Sequence, residues 1–135
     1  MKFTGRAAAL PDTEQVTIFR TAAEVGVPAC FLAAIRMAEN GRAGNEFGVL
    51  SDSTVDTYDE ECRTAALSIR NNQYRFAVRF KEWPIDASTG GLSEAFTKFM
   101  AARWAPVGTE NDPGNLNKNW PGNVWAYYSG SGIAT

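Results

Sequence analysis

Leu32-Ala33-Ala34-Ile35-Arg36-Met37-Ala38-Glu39-Asn40-Gly41 reads as the closing turns of an amphipathic helix. Leu32, Ile35 and Glu39 fall on one face, because residues three, four and seven apart lie above one another along a helix. Asn40-Gly41 supplies the stop, since a helix ending in a left-handed residue favours Gly or Asn there. The face that sends Leu32 and Ile35 into a core therefore ends in a carboxylate. Such a group is partly desolvated, and the unpaired carbonyls of the last turn disfavour an anion beside them. Both effects favour the protonated form that a general acid needs. Spacing alone equally allows Glu39 to turn outward to solvent or to pair with Arg36 or Arg42.

Outward from this stretch the pattern stays helical. Pro28 suits the first position of the Glu39 helix. Before it, Pro11-Asp12-Thr13-Glu14 signals a helix start, and Val16, Phe19 and Ala23 carry an apolar stripe towards Gly26, so a helix is predicted over 12–25. After it, the Gly-, Asn-, Ser- and Asp-rich stretch from Gly41 to Asp56 carries the apolar piece Phe47-Gly48-Val49-Leu50 and reads as a loop or small hairpin. Thr57-Tyr58-Asp59-Glu60 fits a capping box that opens a third helix, with Cys62, Ala65, Ala66 and Ile69 on one face. Between Asn71 and Trp83 the pattern is mixed. Tyr74, Phe76, Val78 and Phe80 alternate as in a strand, whereas Phe76, Phe80 and Trp83 recur as in a helix, and the helical reading is preferred. Leu92, Phe96, Phe99 and Met100 mark a fourth helix ending near Trp104. Turn signals fill the tail, a short helix is predicted near Pro121 to Tyr128, and Ser129-Gly130-Ser131-Gly132 reads as a frayed end. The fold class is mainly α.

With 135 residues, 44% of them hydrophobic, the chain suits one domain with a real core. A net charge of -2, with no Lys/Arg run interleaved with aromatics, argues against a nucleic-acid partner. There is no histidine, which excludes imidazole-based metal sites, Ser-His-Asp triads and Cys-His dyads. Chemistry must rest on carboxylates, hydroxyls, amides or Lys/Arg, and neither metal nor cofactor is expected. Cys30 and Cys62 fall in different helices and could pair or remain separate buried thiols, the commoner use. No stretch approaches the roughly 20 apolar residues of a membrane span, and residues 1–10 are too short and weakly apolar for a signal peptide. The expectation is synthesis in the cytoplasm without membrane insertion.

The stretch Phe31 to Gly41, followed by Glu46-Phe47-Gly48-Val49, resembles the catalytic segment of the lysozyme-like peptidoglycan hydrolases. In the glucosaminidase and lytic transglycosylase branches, a helix ends in Glu-Ser/Asn-Gly and a glycine-rich loop leads to Phe-Gly-Ile/Val or Gly-Leu-Met. Here Asn40 stands where serine is common. The helix start Tyr58-Asp59-Glu60-Glu61 is similar to the Tyr-led, Glu-Glu element that follows in glucosaminidase-type domains. Arg103-Trp104-Ala105-Pro106 through Asn119-Trp120 resembles the tail of small phage and prophage proteins of this kind. The likeness covers roughly residues 12–128. It implies a single lysozyme-like catalytic domain over 1–135, with a loop or β-hairpin after the catalytic helix. It also implies a cleft for the peptidoglycan glycan strand, and a Glu, here Glu39, that protonates the glycosidic oxygen.

A second carboxylate would lie about 5 to 5.5 Å away as a nucleophile, or about 6.5 to 9.5 Å away as a base. Glu46, Asp52 and Asp56 are the local candidates. Asp52 is favoured because it follows Phe47 to Ser51 and is placed to reach back towards Glu39; the common use of such an Asp is in a turn. Without one, the lytic transglycosylase route of the family uses a single Glu as acid and then base. Ser51, Tyr58, Asn111 and Asn117 are candidates to bind N-acetyl groups. Trp104, Trp120 and Tyr127 are candidates to stack on sugar faces, core packing being at least as good a reading for each aromatic. The expected activity is cleavage of the β-1,4 bond between N-acetylglucosamine and N-acetylmuramic acid, in phage lysis or cell-wall penetration. The expected place of action is the periplasmic cell wall or the virion, with a monomer unless virion-associated. The alternative is a non-catalytic lysozyme-like structural or glycan-binding module of a virion.

Overall fold

The computed structural model describes residues 1–39, 46–48, 57–105, 107, 114 and 116–135. Among them run five helices: α1 Asp12–Val25, α2 Ala29–Glu39, α3 Tyr58–Phe80, α4 Glu94–Trp104 and α5 Trp120–Ser129. Two short strands, β1 Lys2–Gly5 and β2 Ser131–Ala134, and two 3-10 turns, Arg6–Ala9 and Leu116–Asn119, complete the described elements. The chain is mainly α, with one small antiparallel sheet.

The centre of the molecule is α2. Phe31, Leu32, Ala33, Ala34 and Ile35 are all fully buried, so this helix is enclosed on every side rather than amphipathic. Its most extensive partner is α5, with α1 and α3 on its other flanks. Arg36 leaves the core to pair with Glu14 of α1, Nε to Oε1 at 2.7 Å, which locks α1 against α2.

Helix α1 has the extent expected from its start and stop signals, but it turns a different face inward. Ile18, Ala22 and Val25 are buried, whereas Val16 is 61% exposed and Ala23 also faces outward. Gln15 fixes the choice. Its side-chain amide donates to Leu10 O at 2.8 Å, its carbonyl oxygen accepts from Phe3 N at 3.1 Å, and the residue is buried. A buried amide costs free energy unless it is hydrogen-bonded, so the segment before α1 must fold over Gln15, and Phe3 then stacks on Phe19 at 4.3 Å.

Thr57 caps α3 by accepting from Glu60 N at 3.1 Å, the hydroxyl half of the capping box. The helix then runs unbroken through the mixed stretch to Phe80. Ile69, Asn72, Gln73 and Phe76 form its buried face at helical spacing, and the strand-like alternation of Tyr74, Val78 and Phe80 belongs to exposed positions. Ser93 caps α4 in the same way, accepting from Phe96 N at 3.1 Å. Cys30 and Cys62 are unbridged thiols, the first half-buried and the second fully buried.

The frayed end read from Ser129-Gly130-Ser131-Gly132 is overturned. Residues 131–134 pair antiparallel with 2–5, in the register Lys2↔Ala134 to Gly5↔Ser131. The small residues permit close backbone approach rather than disorder. Arg6 N donates to Gly130 O at 2.9 Å, and Ser131 Oγ accepts from Ala7 N at 3.0 Å while donating to Tyr127 O at 2.7 Å. Gly5 has φ +68°, and a Cβ there would stand 2.1 Å from Gly130 O, a backbone atom that cannot swing aside.

Gly5→Ala should therefore lower stability by more than about 2 kcal/mol, combining backbone strain with a steric clash. Gly26, with φ +85° but open space around its Cβ position, should lose only about 1 kcal/mol as Gly26→Ala. Urea unfolding of both variants measures the difference, and equal losses would refute the clash. Alkali provides a second measurement. Burial pushes the Cys62 thiol up from 9.0 to about 12, and burial, then the neighbouring Glu14 carboxylate, push the Tyr58 hydroxyl up as well. The unfolded chain ionises first, so stability is intact below pH 9.0 and falls between 9.0 and about 12. The slope is up to about 1.4 kcal/mol per pH unit for each such group. Urea midpoints that do not move across this window would contradict the burial of these groups.

Candidate active site

Three helix ends meet at one carboxylate. Glu39 is the last residue of α2, Trp104 the last of α4 and Trp120 the first of α5. Both indole N–H groups donate to Glu39 Oε1, Trp120 at 2.8 Å and Trp104 at 3.1 Å. Two ordinary hydrogen bonds of about 0.5 to 1.5 kcal/mol each together offset much of the roughly 1.5 to 2 kcal/mol of rotamer freedom that a glutamate loses when fixed. The side chain is consequently held in one orientation. An indole N–H only donates, so Oε1 is committed as an acceptor and any carboxyl proton resides on Oε2. Arg36, occupied with Glu14, is not the partner of Glu39.

Oε2 faces the backbone of Gly48. A Cβ at this position would lie 2.1 Å from Oε2 and 2.5 Å from the carboxyl carbon, and the φ of +68° is one that L side chains rarely adopt. The turn that brings Gly48 there is anchored from α3. Phe47 is fully buried with its ring 5.2 Å from that of Tyr58, and its N–H donates to Oε1 of the fully buried Glu61 at 3.4 Å. Glu61 thus positions the turn from behind, and its burial keeps it from touching a ligand. Gly48 and Trp104, which contact the two oxygens of Glu39, both line a groove of about 510 Å³. Its other walls are the α3 residues Thr64, Leu67, Ser68, Asn71, Asn72 and Arg75, with Arg103 of α4 opposite.

The residues singled out in the sequence distribute unevenly around this centre. Trp120 is 6% exposed, so it holds the carboxylate and offers no open face to a sugar. Tyr58 supports Phe47, and its hydroxyl is buried beside the Glu14–Arg36 pair. Asn117 lines a separate depression with Lys98, Val107 and Pro121, and Tyr127 another with Leu10, Pro11 and Met37 under the guanidinium of Arg6. Ser51, Asp52, Asp56 and Asn111 lie outside the described residues, as does the expected hairpin. Sequence reasoning missed the polar wall of α3. Thr64, Ser68, Asn71, Asn72 and Arg75 recur every three or four residues, a stripe that becomes readable once the stretch after Asn71 is taken as helix.

No protein-family model, curated protein or solved structure matches this chain. Among the described residues no group of three or more His, Cys, Asp or Glu side chains is placed to hold a metal ion, and no helix is long and apolar enough to cross a membrane.

If Gly48 sets the position of the carboxylate, Gly48→Ala should displace Glu39 while costing only about 1 to 2 kcal/mol of stability, because the clashing group is the end of a flexible side chain. The chain has four tryptophans, so NMR reads this directly. The indole N–H signals of Trp104 and Trp120 should shift, and those of Trp83 and Trp125 should not. Unchanged Trp104 and Trp120 signals would show that the carboxylate does not depend on Gly48.

Proposed function

We propose that this chain cleaves the β-1,4-linked amino-sugar strand of peptidoglycan, with Glu39 as the acid that protonates the glycosidic oxygen. The observation that carries the reading is the asymmetric carboxyl: Oε1 is committed to two indole donors, and Oε2 stands at the residue that borders the groove. As the proton leaves Oε2, negative charge grows on the carboxylate, and hydrogen bonds to an ionised acceptor are roughly twice as strong as those to a neutral one. The two N–H groups therefore stabilise the transition state more than the ground state, without having to reorganise. Hydroxyl, amide and guanidinium groups share the groove wall with Leu67 and Trp104, and such a mixed surface suits sugar rings, which have apolar faces and polar edges. Such activity fits a phage lysin or a virion-borne enzyme acting at the cell wall.

Glu39→Gln tests the acid. It preserves shape and an acceptor for the two indoles, so it should fold normally and lose at least about 100-fold in turnover of purified peptidoglycan. Near-native turnover by the folded variant would end the assignment. Mass spectrometry of the wild-type products separates the routes, anhydro ends marking the one-carboxylate path and hydrated reducing ends marking hydrolysis. A protein that binds the polymer but releases no fragments would instead be the non-catalytic glycan-binding module.

A further inference from the structure

Among the described residues, five of the nine exposed large hydrophobic side chains fall between positions 74 and 85: Tyr74, Val78, Phe80, Trp83 and Ile85. Val78 is the extreme, at 81% exposed. Single apolar residues scattered over a surface are ordinary, whereas a contiguous group marks a contact site. This group is contiguous. Tyr74 and Val78, one helical turn apart on α3, line a depression of about 410 Å³ with Arg75, Arg79 and Phe99 of α4, and the Tyr74 ring meets that of Trp83 edge-on at 5.5 Å. The patch is also cationic. The second half of α3 and its cap, residues 70–81, hold Arg70, Arg75, Arg79 and Lys81 with no acidic residue, in a chain whose net charge is -2. Glu82 follows as an exposed anion, and Asp86 accepts from Ser88 N at 2.8 Å within its own turn. Cations suit a helix C-terminus, but that preference gives no reason to expose Tyr74 and Val78 among them.

Two of the guanidiniums lie over aromatic rings, Arg75 5.1 Å from the centre of Phe99 and Arg79 5.6 Å from that of Phe80. One face of each ring is thereby covered, which leaves less for base stacking and disfavours a nucleic acid. A second copy fits no better, since a two-fold pairing through this patch would set the arginines against their own counterparts. An anionic bilayer satisfies both halves of the patch. Trp and Tyr settle at the headgroup level, a valine reaches the acyl boundary, and arginine stems lie along apolar surface with their heads at the phosphates. We propose that the face formed by Tyr74, Val78, Arg79 and Trp83 docks on an anionic phospholipid bilayer, lying on its surface without crossing it. Arg75 lines both this depression and the Glu39 groove, so docking holds the groove beside the membrane. Such docking depends on exposure and charge along α3 and not on what the groove cleaves.

Vesicle binding tests it, with no step that depends on cutting. Co-sedimentation with vesicles of equal parts phosphatidylglycerol and phosphatidylcholine should show at least about 10-fold stronger partitioning than with phosphatidylcholine alone. Raising salt from about 0.05 to about 0.5 M should remove most of the difference. Arg79→Gln should weaken binding to the anionic vesicles about 5-fold, and Val78→Glu about 10-fold or more. Both positions are exposed, so the variants should keep the wild-type circular dichroism and urea midpoint. Val16→Glu makes the same change at a 61% exposed valine of α1 and should bind as the parent does. Anionic vesicles should also shift tryptophan emission to the blue, and Trp83→Phe should abolish most of that shift. Equal partitioning onto both vesicle types, no binding to the anionic ones, or binding that Arg79→Gln and Val78→Glu leave intact overturns membrane docking. So does a blue shift that survives Trp83→Phe, which would put a different surface on the bilayer. Tighter binding of a single-stranded oligonucleotide than of anionic vesicles, or lipid-free self-association that Val78→Glu abolishes, also overturns it and gives the patch to nucleic acid or to a second copy.

Discussion

The pair of indole N–H groups on one oxygen of Glu39 is the constraint around which the rest is arranged. It requires the end of α4 and the start of α5 to converge on the end of α2, and that convergence cannot shift without leaving a half-buried carboxylate short of donors. The core then has two tasks. Phe31 to Ile35 fill the interior, and in doing so they fix the axis along which Glu39 emerges.

Among the described residues, the second oxygen is governed by a relay rather than by a donor. Glu61 holds Phe47, Phe47 and Tyr58 hold the turn, and the missing side chain of Gly48 leaves the space that Oε2 occupies. One carboxylate is thus seated by two tryptophans on one side and by an absence on the other. A fully buried glutamate in the first turn of α3 therefore acts in positioning and not in chemistry, the opposite of what its residue type first suggests.

The helices were legible in the sequence because caps and stops are local. Asp12, Thr57 and Pro121 mark starts whose geometry depends on the next few residues alone, and the observed ends agree closely. The face of α1 was not legible, because Gln15 looks like a surface residue until Phe3 and Leu10 fold over it. The sheet was hidden for a related reason: Gly and Ser near residue 130 look disordered unless a partner strand from residues 2–5 is known. At the site, Glu39 stood out by its place on an apolar stripe. The roles of Trp104 and Trp120 did not, since an indole joining positions 39, 104 and 120 involves separations that no periodicity encodes.

The pairing of Lys2 with Ala134 brings the two ends of the described chain to neighbouring positions on one edge of the molecule. A polypeptide whose ends lie that close can be spliced into a surface loop of a larger protein without stretching either junction. The geometry thus permits such an insertion. The same adjacency suits circular permutation, with a short linker joining 135 to 1 and new ends opened in the turn between α3 and α4, remote in sequence from Glu39, Gly48 and Trp120.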